Sequence, residues 1–306
     1  MSSLLVFPGQ GAQRAGMLHG LAPQILGEAG DVLGEDVLQL DSAEALQSTR
    51  AVQLCLLIAG VAASRQLLEQ APAPDYVAGL SIGAYPAAVV AGALGFDEAL
   101  RLVSLRGELM QRAYPQGYGM TAIIGLDLAA VEALLAQVHS ARTPVYLANI
   151  NADNQVVIAG SDQAMSTVAK QARSQGAGKA CRLAVSVPSH CPLLEIPAQA
   201  LAQAFANVPL KAPTLGYLSG SRARPMISPE ALRDDLAFNM CRVVDWRGTV
   251  QSAYERGVRL QIELPPGAVL TGLARRVFEQ GTVMAFDGAR LDTLQALLRE
   301  EGSRQP

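Results

Sequence analysis

The chain has 306 residues, 50% of them hydrophobic and 17% charged, with 24 Lys and Arg against 27 Asp and Glu for a net charge of −3. This composition excludes a disordered chain and supplies a sizeable core, and the lack of a basic run argues against a binder of nucleic acid. Met1-Ser2-Ser3-Leu4 has no basic segment of a secretory signal, and four cysteines without a CxxC pair (Cys55, Cys181, Cys191, Cys241) read as reduced thiols of a cytoplasmic protein.

In chain order, the apolar run Leu4 to Phe7 stops at Pro8-Gly9 and reads as a buried strand. The loop after it, Pro8-Gly9-Gln10-Gly11-Ala12-Gln13, lacks the GK[ST] of a phosphate loop and breaks the GxGxxG spacing at Arg14. It is a plain strand-to-helix turn, or a loop whose glycines bring backbone N–H groups close to a ligand. His19 falls in a predicted surface helix. Ala51 to Gln70 has apolar residues at helical spacing and ends at Ala71-Pro72-Ala73-Pro74.

Tyr76 to Phe96 carries no charge and is about as long as a membrane span. Glycines and Pro86 interrupt it, so it reads as a strand, a turn and an Ala-rich helix to about Gly92, with no membrane segment. Asp97 is predicted to cap a helix reaching about Tyr114. Within that helix Arg106 has apolar neighbours and is expected to point inward, either to a carboxylate partner or to an acidic substrate.

The middle of the chain reads strand (Met120 to Ile124), helix (Leu128 to Val138, capped by Asp127), two strands (Val145 to Ile150 and Val156 to Ala159) around an Asn-rich turn, helix (Ser161 to Ser174) and strand (Leu183 to Ser186). That order is the split βαβ, ferredoxin-like pattern. Residues 118–187 are therefore predicted to form a small domain inserted into a larger α/β domain made of residues 1–117 and 188–306. Beyond the insert, helices are predicted at Leu193 to Ala206, at Pro229 to Phe238, after Pro265-Pro266-Gly267 to about Phe278, and at Leu291 to Glu300, with strands at Val258 to Leu264 and Thr282 to Phe286. Strands alternating with helices imply a mainly parallel sheet.

Gly79-Leu80-Ser81-Ile82-Gly83 is a GxSxG placed between a strand and a helix, the pattern of a nucleophile elbow. A serine needs a base, and the chain has three histidines. His139 sits at a helix end. His190, in Val187-Pro188-Ser189-His190-Cys191-Pro192, lies in a loop at the seam between the two predicted domains, where catalytic groups concentrate. Cys181, His190 and Cys191 have no recognised metal-ligand spacing, so no metal is expected.

Six segments, in this order and spacing, resemble the malonyl-CoA:acyl-carrier-protein transacylase family along nearly the whole chain: Phe7 to Gln13, Gly79 to Gly83 with Tyr85, Leu105-Arg106-Gly107, Gln155 to Gly160, Val187 to Cys191 and Pro266 to Leu273. Within the family, GLSIGAYPA and Thr49 to Gly60 look most like the epsilon subunit of malonate decarboxylase. The resemblance implies a hydrolase-like α/β fold with a ferredoxin-like insert. It implies Ser81 as the acyl-carrying nucleophile, His190 as base and then acid, and the backbone N–H groups of Gln10 and Ile82 as oxyanion hole. Arg106 would pair with the free malonyl carboxylate. The implied partner is an acyl carrier protein with a phosphopantetheine-type thiol and, for the decarboxylase, the other subunits of that complex. CoA thioester enters as substrate, with no permanently bound cofactor.

The sequence departs from the family at Leu80, where a histidine is usual, and at Ala84, where glutamate is common. Asp245 stands where relatives have glutamine or asparagine whose backbone carbonyl orients the histidine, and is given that orienting role here. The competing readings are a serine hydrolase, a scaffold subunit without catalysis, and the transacylase of fatty-acid synthesis.

Overall fold

The computed structural model describes residues 2–303. The chain opens with β1 (Ser2–Phe7), α1 (Pro23–Leu33), α2 (Thr49–Leu68), β2 (Tyr76–Gly79), α3 (Ala84–Val90) and α4 (Phe96–Ala113). Its middle forms β3 (Tyr118–Ile124), α5 (Leu128–Val138), β4 (Val145–Ala152), β5 (Gln155–Ser161), α6 (Asp162–Ser174) and β6 (Lys179–Arg182). It continues through α7 (Glu195–Ala204), β7 (Gly216–Leu218), β8 (Pro225–Met226), α8 (Pro229–Phe238), β9 (Val244–Asp245) and α9 (Trp246–Glu255). β10 (Val258–Glu263), α10 (Val269–Ala274), β11 (Thr282–Ala285) and α11 (Leu291–Ser303) complete it.

The strands divide between two sheets. The larger has the order β11-β10-β1-β2-β7-β8, parallel except where β7 meets β8. Leu4 to Phe7 of β1 are all buried, as a near-continuous apolar run in a parallel sheet covered on both faces should be. The smaller sheet has the order β6-β3-β5-β4-β9, antiparallel apart from the β4–β9 pair. Its four consecutive strands and two helices follow the split βαβ order, and the fifth strand comes from the later part of the chain.

α2 is apolar on almost all faces, which a helix tolerates only when it is surrounded. By length and composition it could cross a membrane, yet 78% of that apolar window is packed inside this fold. α4 lies against it. At Gly107 a Cβ would stand 2.5 Å from the Arg50 Cα, so only glycine allows the two helices this approach, and the approach sets Arg106 beside Gln53. Side-chain caps fix helix starts where the sequence offers them: Asp127 accepts from Ala130 N, Ser161 from Ala164 N and Ser228 from Ala231 N.

Several boundaries differ from the sequence reading. The last strand of the middle region is Lys179–Arg182, paired with β3, and not Leu183 to Ser186. The apolar residues Leu183, Ala184 and Val185 line a cavity, and of the three only Leu183 keeps a backbone bond to β3, its N–H donating to the Met120 carbonyl. α4 begins at Phe96, so Asp97 lies in its first turn and Gly95 takes the cap position. His19 sits in turns, not in a helix, and the helix after Pro266 is only Val269–Ala274.

Gly107→Ala tests the α2–α4 contact. Alanine gains about 1 kcal/mol of helix propensity, and overpacking costs about 1–3 kcal/mol. The clash is with backbone, which no rotamer relieves. A net loss of up to about 2 kcal/mol in urea denaturation is expected, and raised stability would show the contact to be loose.

Candidate active site

β2 runs straight into the turn that carries Ser81. A Cβ at Gly79 would overlap the Gly83 backbone, and one at Gly83 would overlap the Phe7 carbonyl. Both glycines are therefore required for the chain to reverse so sharply. Ser81 itself is held at φ 58°, in the left-handed region. His190 is held at φ 65°. Such conformations cost about 1–3 kcal/mol in a non-glycine residue and gather at functional sites. Here the two strained residues face each other: His190 Nε2 and Ser81 Oγ are 2.9 Å apart.

The direction of that hydrogen bond follows from the other ring nitrogen. His190 Nδ1 lies 2.8 Å from the Asn239 carbonyl oxygen and 3.3 Å from that of Arg242. Carbonyls only accept, so Nδ1 carries the proton and Nε2 is left to accept from the Ser81 hydroxyl. The His190 N–H donates to the Met240 carbonyl, which pins the backbone as well. His190 is buried, and burial first, then the Arg106 cation, push its pKa down to about 4, against the two carbonyls that favour the protonated ring. The imidazole is thus neutral and ready to take a proton at neutral pH. The neighbouring Cys191 thiol is pushed up to about 12, chiefly by burial, so it is no rival nucleophile.

Arg106 is fully buried. Its Nη1 donates to Gln53 Oε1 at 2.7 Å, and its Nη2 to Asn239 Oδ1 at 3.0 Å and to Ser81 Oγ at 3.4 Å. Its Nε has no partner. The guanidinium lies over the Tyr85 ring, 5.9 Å from the centroid, and the Tyr85 hydroxyl is anchored to the Leu236 carbonyl. Every one of these partners is neutral. A buried cation without a counterion is costly, and this one lies beside the nucleophile.

Ser81, His190 and Gln10 line one cavity of about 300 Å³ between the two sheets. Gln10 comes from the loop after β1, and Ile82 follows Ser81 in the first turn, where backbone N–H groups have no intrahelical acceptor. Asp245 is not part of the site. Its carboxylate caps α9 by accepting from Gly248 N at 2.9 Å, and its carbonyl accepts from Thr249 Oγ1 at 2.7 Å. The orienting carbonyls belong to Asn239 and Arg242, several residues earlier. Asn239 was missed in the sequence, although a lone amide within Leu236 to Met240 is a signal. It touches all three groups: its carbonyl meets His190, its Oδ1 meets Arg106, and its Nδ2 donates to the Ser81 carbonyl at 3.3 Å. Of the other histidines, His139 Nδ1 meets the Val145 carbonyl and His19 is exposed. Among the described residues no three of His, Cys, Asp and Glu are grouped to hold a metal ion.

A serine in a strand-to-helix elbow, with a histidine oriented by carbonyls, is the site of an acyl-transferring enzyme. The acyl transferase domain matches residues 4–303. The chain is 39% identical over 285 residues to the malonyl CoA-acyl carrier protein transacylase of Haemophilus influenzae, covering 89% of this chain and 91% of that protein. It is 39% identical over 298 residues to the protein of the same name from Escherichia coli, covering 92% and 94%. The malonyl CoA-acyl carrier protein transacylase structure from Coxiella burnetii superimposes with a TM-score of 0.92 at 35% identity over 98% of both chains. A malonyl-transacylase solved in complex with its type II acyl-carrier protein gives 0.90 at 37% identity over 97% of this chain and 99% of that one. The chain belongs to the acyl transferase family and is an acyltransferase.

The depressed His190 pKa fixes a pH profile. Inactivation of Ser81 by a neutral sulfonyl fluoride should stay level down to about pH 5 and fall with a midpoint near 4, where imidazole alone would titrate near 6.5. Arg106→Met should move that midpoint upward, because a cation that opposes protonation is gone. A wild-type midpoint at 6.5 would contradict the buried, neutral base. Stability follows the same sign: the unfolded chain takes up this proton first, so His190 contributes to a loss of stability as pH falls from about 6.5 to about 4.

Proposed function

We propose that the chain is a malonyl-CoA:acyl-carrier-protein transacylase, working by ping-pong transfer through a seryl ester. The Ser81 hydroxyl attacks the thioester carbonyl while His190 Nε2 takes its proton. The N–H groups of Gln10 and Ile82 hold the tetrahedral oxyanion. Collapse breaks the C–S bond, and the departing CoA thiolate receives the proton from His190. The thiol of a carrier's phosphopantetheine arm then gives its proton to His190 and attacks the ester carbonyl; the C–Oγ bond breaks, malonyl leaves on the carrier sulfur, and His190 returns the proton to Ser81 Oγ. The Asn239 and Arg242 carbonyls keep the imidazole in one tautomer throughout.

The observation that carries malonyl as the acyl group is the Arg106 guanidinium, buried among neutral partners with Nη2 3.4 Å from Ser81 Oγ. In malonyl the free carboxylate stands one methylene from the reacting carbonyl, so a nucleophile with a cation at its side suits it. Two charge-assisted hydrogen bonds of about 1.5–3 kcal/mol each would favour malonyl over acetyl by roughly 10²-fold or more.

A carrier-protein transacylase is better supported than the epsilon subunit of malonate decarboxylase. The relatives described above bear the transacylase name and align over about nine-tenths or more of their length. Only the wording around Ser81 and within α2 favours the decarboxylase. The partner in this reading is an acyl carrier protein, as in the complex of the malonyl-transacylase relative. CoA thioester is a substrate, not a resident cofactor, and the place of work is the cytoplasm. The division into a large domain (1–117 and 188–306) and a ferredoxin-like insert (118–187) goes with it, supported by the separate antiparallel sheet.

The reading is tested by incubating the protein with malonyl-CoA and a holo carrier protein and weighing both intact. A malonyl adduct on the enzyme, then on the carrier, is expected, and none on Ser81→Ala. Hydrolysis to free malonate without carrier acylation would favour the hydrolase. Arg106→Ala should lower malonyl loading about 100-fold or more while acetyl loading holds or improves, and equal losses with both would remove Arg106 as the carboxylate anchor.

A further inference from the structure

The second half of α8 carries two adjacent aspartates in opposite environments. Asp235 is 1% exposed. Its Oδ1 accepts from Ser219 Oγ at 2.6 Å and from Ser221 Oγ at 2.9 Å, and its Oδ2 from the Tyr217 hydroxyl at 3.0 Å. Ser219 Oγ already accepts from the N–H groups of Ser221 and Arg222, so its own proton is left for the carboxylate. Asp234 is half-buried. The Arg242 guanidinium grips it through both Nη atoms, at 2.5 Å and 2.9 Å, and Arg222 Nη2 lies 2.8 Å away.

Both leads end at the His190 ring. The Asn239 N–H donates to the Asp235 carbonyl one helical turn back, so whatever fixes Asp235 fixes Asn239. The Asn239 carbonyl is one of the two acceptors at His190 Nδ1, and the Arg242 carbonyl is the other. At its far end the Asp235 network is rooted in the nucleophile's own strand, because Tyr217 belongs to β7 and β7 pairs with β2. The bonds therefore close a ring. It runs from Ser81 back along β2, across to β7, through Asp235 to Asn239, and from Asn239 Nδ2 to the Ser81 carbonyl. Neither aspartate lines the cavity, so any effect on the chemistry runs through the residues they hold.

We propose that Asp234 and Asp235 are positioning residues for His190. Asp235 sets the Asn239 carbonyl, Asp234 sets the Arg242 carbonyl, and together they fix where the imidazole stands against Ser81. Misplacing a reacting group by about 1 Å can cost about 100-fold in rate. The assignment concerns the serine and the histidine alone and stands whichever acyl group they carry.

The test reads the rate constant for inactivation of Ser81 by a neutral sulfonyl fluoride at neutral pH, per folded molecule. Such a reagent brings no carboxylate and needs no carrier, so Ser81 and His190 decide the rate. Asp235→Ala should slow it about tenfold or more. Asp235→Asn, whose Oδ1 still accepts from both serines, should bring it back to within about threefold of the wild type. Asp234→Ala and the near-isosteric Ser219→Ala/Ser221→Ala pair should each slow it about threefold or more. A network that only stabilises the fold would lower the urea midpoint and leave the rate per folded molecule unchanged. That result in Asp235→Ala overturns the proposal. Should Asp235→Ala fail to fold, the same result in both Asp234→Ala and the serine pair overturns it. Asp235→Asn as slow as Asp235→Ala overturns it too, because the positioning is done by hydrogen bonds that the amide keeps. If the reagent leaves the wild type unmodified at Ser81, the serine–histidine reading fails first.

Discussion

A single uncompensated charge organises this molecule. Arg106 is buried where water cannot reach it, and the groups that hold it are amides, a hydroxyl and an aromatic face. Taking a guanidinium out of water costs several kcal/mol unless an anion replaces the hydration. Natural cores rarely keep such a group without a carboxylate. The fold carries the cost through α2 and α4, whose close contact at Gly107 lets Gln53 reach the guanidinium, and through Asn239 at the end of α8. The cation also depresses the His190 pKa, so the guanidinium and the imidazole are electrically coupled. An acyl group that brings its own carboxylate would relieve the guanidinium and leave the imidazole more basic.

The second organising feature is that strain is matched across the site. Ser81 and His190 both adopt left-handed backbone conformations, and each is fixed by contacts on either side. Ser81 is fixed by the Gly79 and Gly83 turn. His190 is fixed by its N–H bond to Met240 and its ring bond to Asn239. Their agreement at 2.9 Å leaves little reorganisation between the resting site and proton transfer.

The sequence made some of this legible and hid the rest for identifiable reasons. GxSxG between a strand and a helix located Ser81, and the seam between two folding patterns located His190. Arg106 was visible as a charge in an apolar helix face. Of the two alternatives for it, the carboxylate partner is not what the fold supplies: its partners, from α2 and the end of α8, are distant in sequence and neutral. Asp245 was misplaced because the orienting group is a backbone carbonyl, which any residue supplies and no side chain advertises. It proved to be a helix cap, the commoner use of an aspartate in that position. β7, β8 and β9, of three, two and two residues, are too short to show a period. Leu183 to Val185 looked like a strand because a cavity wall and a sheet face demand the same side chains.

The short strand β9 ties the small sheet to the loop that holds the His190 ring. It joins β4 in parallel at Asn149–Val244 and Ile150–Asp245, and it begins two residues after Arg242, whose carbonyl holds the His190 ring. The cavity wall and the clamp on the base are therefore stitched to one another by backbone ladder bonds. A jaw-like swing of one sheet against the other would drag the imidazole off its serine. In the proposed cycle, a long thioester meets a gap whose width this ladder helps to set.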